Sequence, residues 1–517
     1  MGFIDTIIFV FYGLTIIVIG NWNVRSKTEQ LSSKDYFFAN KTLPWYLVGS
    51  SIIAANISAE QFIGMSGSGY AIGLAIATYE WIGAIILIVV AKYFLPVFIQ
   101  NKIFTMPQFL AYRYDNRIKT ILAIFWLALF VFVNLSSILY LGALTLRAVF
   151  DIPMVYGIIG LAIFSLLYTI GNGLKAIAST DIVQVFFLLV GGLITTFLAV
   201  NRIGDETGII NGFQAMLEQI PDKFHMIIKR QDESYTYLPG IRAIFGGIWI
   251  AGIYYFGANQ YIIQKAFGAK NLKEAQKGMV FAGYLKIILP FVVVIPGMVA
   301  FALNADITKP DEAYPWILEN IVPTGIKGLI FAALIAAIVS SFSAIINSAS
   351  TIFTMDLYKP YFNTKATEKK MVLVGRLSSV VVVFLSVLVA LSLGNLEQAF
   401  QFIQEYTGMV SPGITAIFVL GMYWKKTTST AAFWGTVLSI PISASIKYLF
   451  PEIPFLDQML ISFFMVLAII IILSVFGPKE SGKGIDLPKG LFKTEKSFNI
   501  LSIIIMLLFA AIYTRFW

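Results

Sequence analysis

Fourteen apolar runs of about 20 residues or more leave this chain few folds to choose from. They lie at 3–23, 44–67, 74–100, 118–150, 153–172, 180–201, 240–267, 276–304, 325–358, 372–393, 397–422, 427–449, 455–476 and 496–516. A helix of about 20 residues crosses roughly 30 Å of hydrocarbon. In lipid only a helix or a closed barrel satisfies its own backbone polar groups. The chain is 58% hydrophobic and 13% charged, about half the charge of ordinary soluble domains. We therefore expect an all-α integral membrane protein, 1–517 forming a single polytopic domain with about 14 transmembrane helices. The first run lacks a basic leader and a small-residue cleavage site, so it reads as a retained helix. An even number of spans puts both termini on one side.

Charge sets the orientation. Of the 37 lysines and arginines, twenty-five fall in the loops of one face. They include Arg25, Lys27, Lys34 and Lys41 after the first run, and Lys265, Lys270, Lys273 and Lys277 around the junction of the seventh and eighth. The other face holds ten, half of them in the long segment 202–242, where the positive-inside bias is weak. The richer face is cytoplasmic and both termini are outside. The net charge of +9 thus reflects topology; no basic stretch interleaved with aromatics points to nucleic acid. There is no cysteine and one histidine, His225, so thiol and His-cluster metal sites are excluded. Two outer connections, 202–240 and 305–325, read either as lids or as solvated cover.

Two apolar runs are broken in their middles. The second contains Asn56, Ser58, Glu60 and Gln61 among Ala54, Ala55, Ala59, Gly64, Gly67 and Gly69. Such polar groups persist in a membrane where they face a cavity or a partner; polar helix–helix packing is the bland alternative. Five runs later the seventh is broken by Tyr254-Tyr255-Phe256-Gly257-Ala258-Asn259-Gln260. Matching breaks five spans apart point to a 5+5 inverted-repeat core. Such folds bind substrate near the midplane, where unwound ends free backbone groups. The repeats would be 44–201 and 240–422, with an extra N-terminal helix 3–23 and extra C-terminal helices within 427–517.

Long polar side chains recur at similar depths: Gln61, Glu80, Asn134, Gln260, Lys286, Gln401, Gln404 and Glu405. Singly, each also reads as a structural contact. Together they form a cage able to hydrogen-bond several hydroxyls, with Tyr254 or Tyr255 offering a ring face. A sugar fits that cage. Ser340 and Ser341 either bond back to their own helix or, with carbonyls freed by a broken helix, hold sodium. Asp181 reads as a first-turn carboxylate or as part of a cation path. No paired-Asp, His-Glu-x-x-His or Gly-x-Ser-x-Gly constellation occurs in a span, so we do not expect an enzyme and expect no organic cofactor.

The runs 54–70 (AANISAEQFIGMSGSGY), 73–81 (GLAIATYEW), 275–278 (AQKG), 352–356 (IFTMD) and 402–414 (FIQEYTGMVSPGI) resemble the sodium/solute symporter family, and its sugar-transporting branch in particular. The resemblance runs from the first span to the end of the chain. It implies a leucine-transporter-like fold in a bacterial inner membrane, importing a galactose- or glucose-like monosaccharide with Na+ as coupling ion. It implies sugar contacts at Gln61, Glu80, Asn134, Lys286 and Gln404, with Tyr255 the inner gate stacked on the sugar ring. Met65, Tyr79 and Phe400 would form the outer gate. Sodium would use backbone oxygens of Ala54, Ile57 and Ala337 and the hydroxyls of Ser340 and Ser341, with Asp181 on its exit route. Two positions depart from the branch: Gly83 stands for a sugar-binding serine, and Gly252 for an asparagine near the inner gate. Another solute of the same family, such as inositol, a polyol, or an amino or organic acid, is the alternative these departures keep open. A channel would need repeated polar rings; proton coupling would run through Glu80 or Asp181, whereas the two serines, which do not titrate, argue for sodium.

Overall fold

A computed structural model of the chain describes residues 2–22, 42–171, 174–394, 398–478 and 484–517. Arg25, Lys27, Lys34 and Lys41, which entered the charge argument, lie outside the described residues. Those that are described are helical throughout, apart from turns, loops and one isolated bridge between Leu43 and Ala269. In chain order the helices are α1 (Phe3–Trp22), α2 (Trp45–Asn56), α3 (Ser66–Ala71), α4 (Leu74–Gln100), α5 (Met106–Arg113), α6 (Asn116–Phe150), α7 (Met154–Gly171) and α8 (Leu174–Ile203). There follow α9 (Ile209–Gln219), α10 (Gly247–Ile253), α11 (Gln260–Phe267), α12 (Leu272–Ala302), α13 (Ala313–Asn320) and α14 (Ile326–Tyr361). The chain closes with α15 (Glu368–Ser392), α16 (Ala399–Tyr423), α17 (Ser429–Leu449), α18 (Phe455–Phe476) and α19 (Lys496–Arg515). Among the described residues ten helices are long and apolar enough to cross a membrane. An eleventh span is added if Glu233–Phe245 and Gly247–Ala258, bent by 76°, count as one. Shorter apolar helices cover Phe3–Tyr12 and Met154–Leu167.

The outer surfaces of the peripheral helices are apolar. Phe384 and Leu388 on α15, Phe464 and Ile472 on α18 and Leu507 on α19 are all more than half exposed. In water such a belt would be an aggregation patch; in a bilayer it is the lipid contact. The interior carries the polar residues instead.

The second apolar run breaks between α2 and α3, and side chains account for its backbone. Ile57 is extended, with φ −75° and ψ 101°. The Ser58 N–H donates to Gln61 Oε1 at 3.2 Å, and Ser58 Oγ accepts from the Glu60 N–H at 3.1 Å. A π-helical turn, Glu60–Met65, then leads into α3. The seventh run breaks likewise: a π-helical turn at Tyr254–Ala258, extended Asn259, then α11. π turns are rare and occur frequently at functional sites.

Helix α12 lies along both halves of the first broken helix, and small residues permit it. A Cβ on Gly49 would sit 2.5 Å from the Gly278 carbonyl oxygen, and one on Gly297 would overlap the Ser66 carbonyl. Two loops, at Lys223 and Asp311, also hold α3. Lys223 Nζ donates to the Ala71 carbonyl at 2.5 Å, closing the last turn of α3. Asp311 Oδ2 accepts the Ala399 N–H at 2.8 Å, capping α16, while a Cβ on Gly67 would fall 2.5 Å from Asp311 Oδ1. The termini join this face. Asp5 Oδ1 accepts the N–H groups of Gly325 and Gly328 at 2.7 and 2.9 Å. The Met226 N–H donates to the Phe516 carbonyl at 2.8 Å.

Burial pushes the Asp311 carboxyl from its ordinary 3.8 up to about 8. Its folded pKa exceeds its unfolded one, so its contribution is full below about 4 and is lost as pH rises through about 8. Thermal melting of detergent-solubilised protein should show the native protein losing stability across that window. Asp311→Asn, which keeps an oxygen for the Ala399 N–H, should be flatter. Parallel curves for the two proteins would contradict this.

Candidate substrate and ion site

The break between α2 and α3 leaves two carbonyls without helical partners, and α14 reaches them. Ser341 Oγ lies 2.9 Å from the Ala54 oxygen and 3.0 Å from the Ile57 oxygen. Ser340 precedes it on α14, and Ala337 lies one turn before Ser341; all are buried. Ser340 Oγ donates to Asp181 Oδ1 at 2.5 Å. Ser341 thus meets two of the three backbone oxygens expected to hold sodium, while the neighbouring Ser340 hydroxyl is turned to the Asp181 carboxylate. Among the described residues no group of three or more His, Cys, Asp or Glu side chains gathers to hold a metal. Neutral oxygens with little fixed charge suit a monovalent cation better than a divalent one.

Asp181 differs from the helix-start reading. Helix α8 begins at Leu174, so Asp181 lies well inside it, and its carboxylate is spent on cross-helix contacts. Ser51 Oγ and Lys265 Nζ reach its other oxygen, the latter at 3.2 Å. Lys265, counted above with the cytoplasmic loop cations, is 1% exposed and belongs to the interior. A loop lysine and a buried one look alike in sequence when a helix ends two residues later.

Beside these residues lies a cavity lined by Asn56, Glu60, Gln61, Glu80, Asn134, Lys286 and Gln404. Tyr79, Tyr254, Tyr255, Phe256 and Phe400 add aromatic faces. The five long polar residues expected to contact sugar therefore share one space. Lys286 Nζ meets Glu80 Oε2 at 2.5 Å and stands 5.2 Å from the Phe256 ring centre. Both charges are nearly fully buried, so each is tolerable only with the other. The Tyr255 hydroxyl accepts from Asn56 Nδ2 at 3.1 Å, joining the two broken helices beside the cavity. Tyr79 and Phe400 meet edge to face at 5.2 Å. Met65 is fully buried but does not line the cavity.

Three members of the polar set lie elsewhere. Gln260 Oε1 accepts the Met106 N–H at 2.8 Å, fixing the start of α5. Glu405 pairs with Lys447 at 2.8 Å. Gln401 is buried off the cavity. Conversely, Asn259 and Thr407 line the cavity without having been singled out. Asn259 stood inside the second break, which is the signal that could have found it; Thr407 carries none.

The two glycine departures are filled from neighbouring elements. A Cβ on Gly83 would lie 3.3 Å from Lys286 Cδ and Cε, and one on Gly252 would overlap Ile86 Cδ1. Ile86, one turn after Gly83 on α4, occupies the room that a side chain at 252 would need.

A model of the Sodium:solute symporter family matches residues 36–439. The chain is 49% identical to the Sodium/glucose cotransporter of Vibrio parahaemolyticus, covering 100% of this chain and 99% of that protein. It is 33% identical to Sodium/myo-inositol cotransporter 2 of Oryctolagus cuniculus, over 84% of this chain and 68% of that one. A solved Na+-coupled sialic acid symporter superposes with a TM-score of 0.81 at 23% identity, over 92% of this chain and 99% of that chain. A nucleobase-cation-symport-1 family transporter gives 0.56 at 12%, over 86% and 96%. The last two likenesses speak to the fold.

Overpacking by one methyl costs about 1–3 kcal/mol. Gly252→Ala should therefore lower the melting midpoint, and adding Ile86→Val, which removes the opposing Cδ1, should restore it. A double variant as unstable as the single would show that the space is not shared.

Proposed function

The chain belongs to the sodium:solute symporter family, and on that footing we propose that it imports a galactose- or glucose-like monosaccharide together with sodium by alternating access. The observation that carries this reading is the pairing of Ser341 with the two carbonyls freed at Ala54 and Ile57, next to a cavity lined by Gln61, Glu80, Asn134, Lys286 and Gln404. In this reading Ala54, Ile57, Ala337, Ser340 and Ser341 hold the ion, and the five cavity residues hold the hydroxyls. Tyr255 closes the inner side, while Met65, Tyr79 and Phe400 close the outer. Asp181 receives sodium on its way out. The frame is fourteen spans around a 5+5 inverted-repeat core, in a bacterial inner membrane with both termini outside. The partners are sodium, the sugar and the bilayer.

Sodium ties the broken helix to α14, and that ordering completes the sugar cage. Each ligand then binds better with the other present, by reciprocal linkage. One charge crossing 100 mV supplies about 2.3 kcal/mol, and a tenfold sodium gradient about 1.4 kcal/mol. Together these sustain a roughly 500-fold sugar gradient at one sodium per sugar.

A second reading keeps the ion and changes the solute to inositol or another polyol. The Gly83 and Gly252 departures favour it, as do the mammalian relatives at 32–33% identity, which are named for myo-inositol.

Uptake of radiolabelled galactose, glucose and myo-inositol into proteoliposomes, under sodium, potassium or proton gradients, separates these readings. Sodium-driven uptake of a hexose is expected; uptake indifferent to sodium would remove the class. Ser341→Ala should abolish sodium dependence. Glu80→Ala strands Lys286 at a cost of about 3–5 kcal/mol and should cut sugar affinity severely while sodium binding persists. Intact sugar affinity in that variant would move the solute elsewhere.

A further inference from the structure

A buried charge lies beside the proposed ion ligands, and it is shared. Asp181 on α8 is fully buried. Its Oδ1 takes the Ser340 hydroxyl of α14 at 2.5 Å. Its Oδ2 takes the Ser51 hydroxyl of α2 and the Lys265 ammonium of α11 at 3.2 Å. One carboxylate thereby joins four helices. Two of them, α2 and α11, are halves of the two broken helices, and α11 begins five residues after Tyr255.

From this geometry we infer that Lys265 is a tethered cation that competes with transported sodium for Asp181, and so sets how tightly the ion is held and how fast it leaves. Three observations carry the argument. Ser340 donates its proton to Asp181, which turns the hydroxyl's lone pairs away from the carboxylate and leaves them for a cation. Ser340 adjoins Ser341, whose hydroxyl bridges the carbonyls of Ala54 and Ile57, so Asp181 acts on the ion ligands through one intervening side chain. An uncompensated carboxylate there would bind sodium tightly in a low-dielectric interior. The ammonium on the same carboxylate oxygen cancels most of that attraction. When sodium draws on Asp181, Lys265 must yield, and its helix carries the change toward Tyr255. Lys265 is thus a positioning residue, acting on sodium through Asp181 and Ser340.

This inference rests on the sodium reading above, and its test separates the two. Binding of radiolabelled sodium to the purified full-length protein is measured at fixed pH and ionic strength, with choline replacing sodium. Absence of saturable binding by the native protein overturns the sodium reading and this inference with it. Given saturable binding, Lys265→Gln keeps a hydrogen-bond donor but loses the charge. It should bind sodium about tenfold more tightly, within the range of ordinary site coupling, and release it more slowly. Lys265→Arg should restore native values, an outcome that a purely structural pair does not require of the ion. Asp181→Asn leaves the ammonium unopposed and should bind sodium weakly; adding Lys265→Gln to it should recover affinity. If Lys265→Gln alone fails to fold, the Asp181→Asn pair decides by itself. Unchanged or weaker binding in folded Lys265→Gln, or no recovery in the double variant, overturns the inference.

Discussion

The hydrogen bonds from Ser341 to the Ala54 and Ile57 carbonyls stand at the centre of this molecule because of a constraint on backbone in a nonpolar medium. A helix broken inside a membrane strands N–H and C=O groups, and each costs several kcal/mol unless something answers it. Here the N–H side is answered locally, by Ser58 and Gln61. The carbonyl side is answered from another helix. That asymmetry is what the proposed ion site rests on: oxygens that one hydroxyl can reach are oxygens that a small cation can reach.

The same constraint governs the charges. Glu80 with Lys286 and Asp181 with Lys265 are the two ion pairs in which both side chains are at most 3% exposed among the described residues. Each joins helices far apart in sequence, and neither partner is tolerable alone. They divide the interior into two polar centres. One sits in the cavity, with Phe256 facing the ammonium; the other stands behind the serines of α14. Because Ser51 and Lys265 bring both broken helices to Asp181, the two centres share a frame.

The loops that hold Lys223 and Asp311 add a third set of contacts. Lys223 and Asp311 come from different loops and both bear on α3, the second half of the first broken helix. Asp311 also caps α16, whose second residue is Phe400, packed on Tyr79. The Tyr79–Phe400 contact is thereby tied to a loop that composition alone left as either lid or cover.

Much of this was legible in residue order. Apolar run length set the helices, because a membrane fixes how many residues a span needs. Polar residues inside apolar runs marked both breaks, because lipid tolerates them only with partners. Gln61, Glu80, Asn134, Lys286 and Gln404 could be nominated for the same reason. What order did not contain was which polar groups meet. Gln260, Gln401 and Glu405 looked like cavity residues and face elsewhere, because a helix turns 100° per residue and depth says nothing of direction. Lys265 looked like a loop cation and is buried against a carboxylate 84 positions away. Sequence by itself determined the medium, the helices and the places where helices fail. Only the packing of distant helices decided which freed oxygen, hydroxyl and charge would share a site, since those contacts are set by facing and register across the fold rather than by neighbours along the chain.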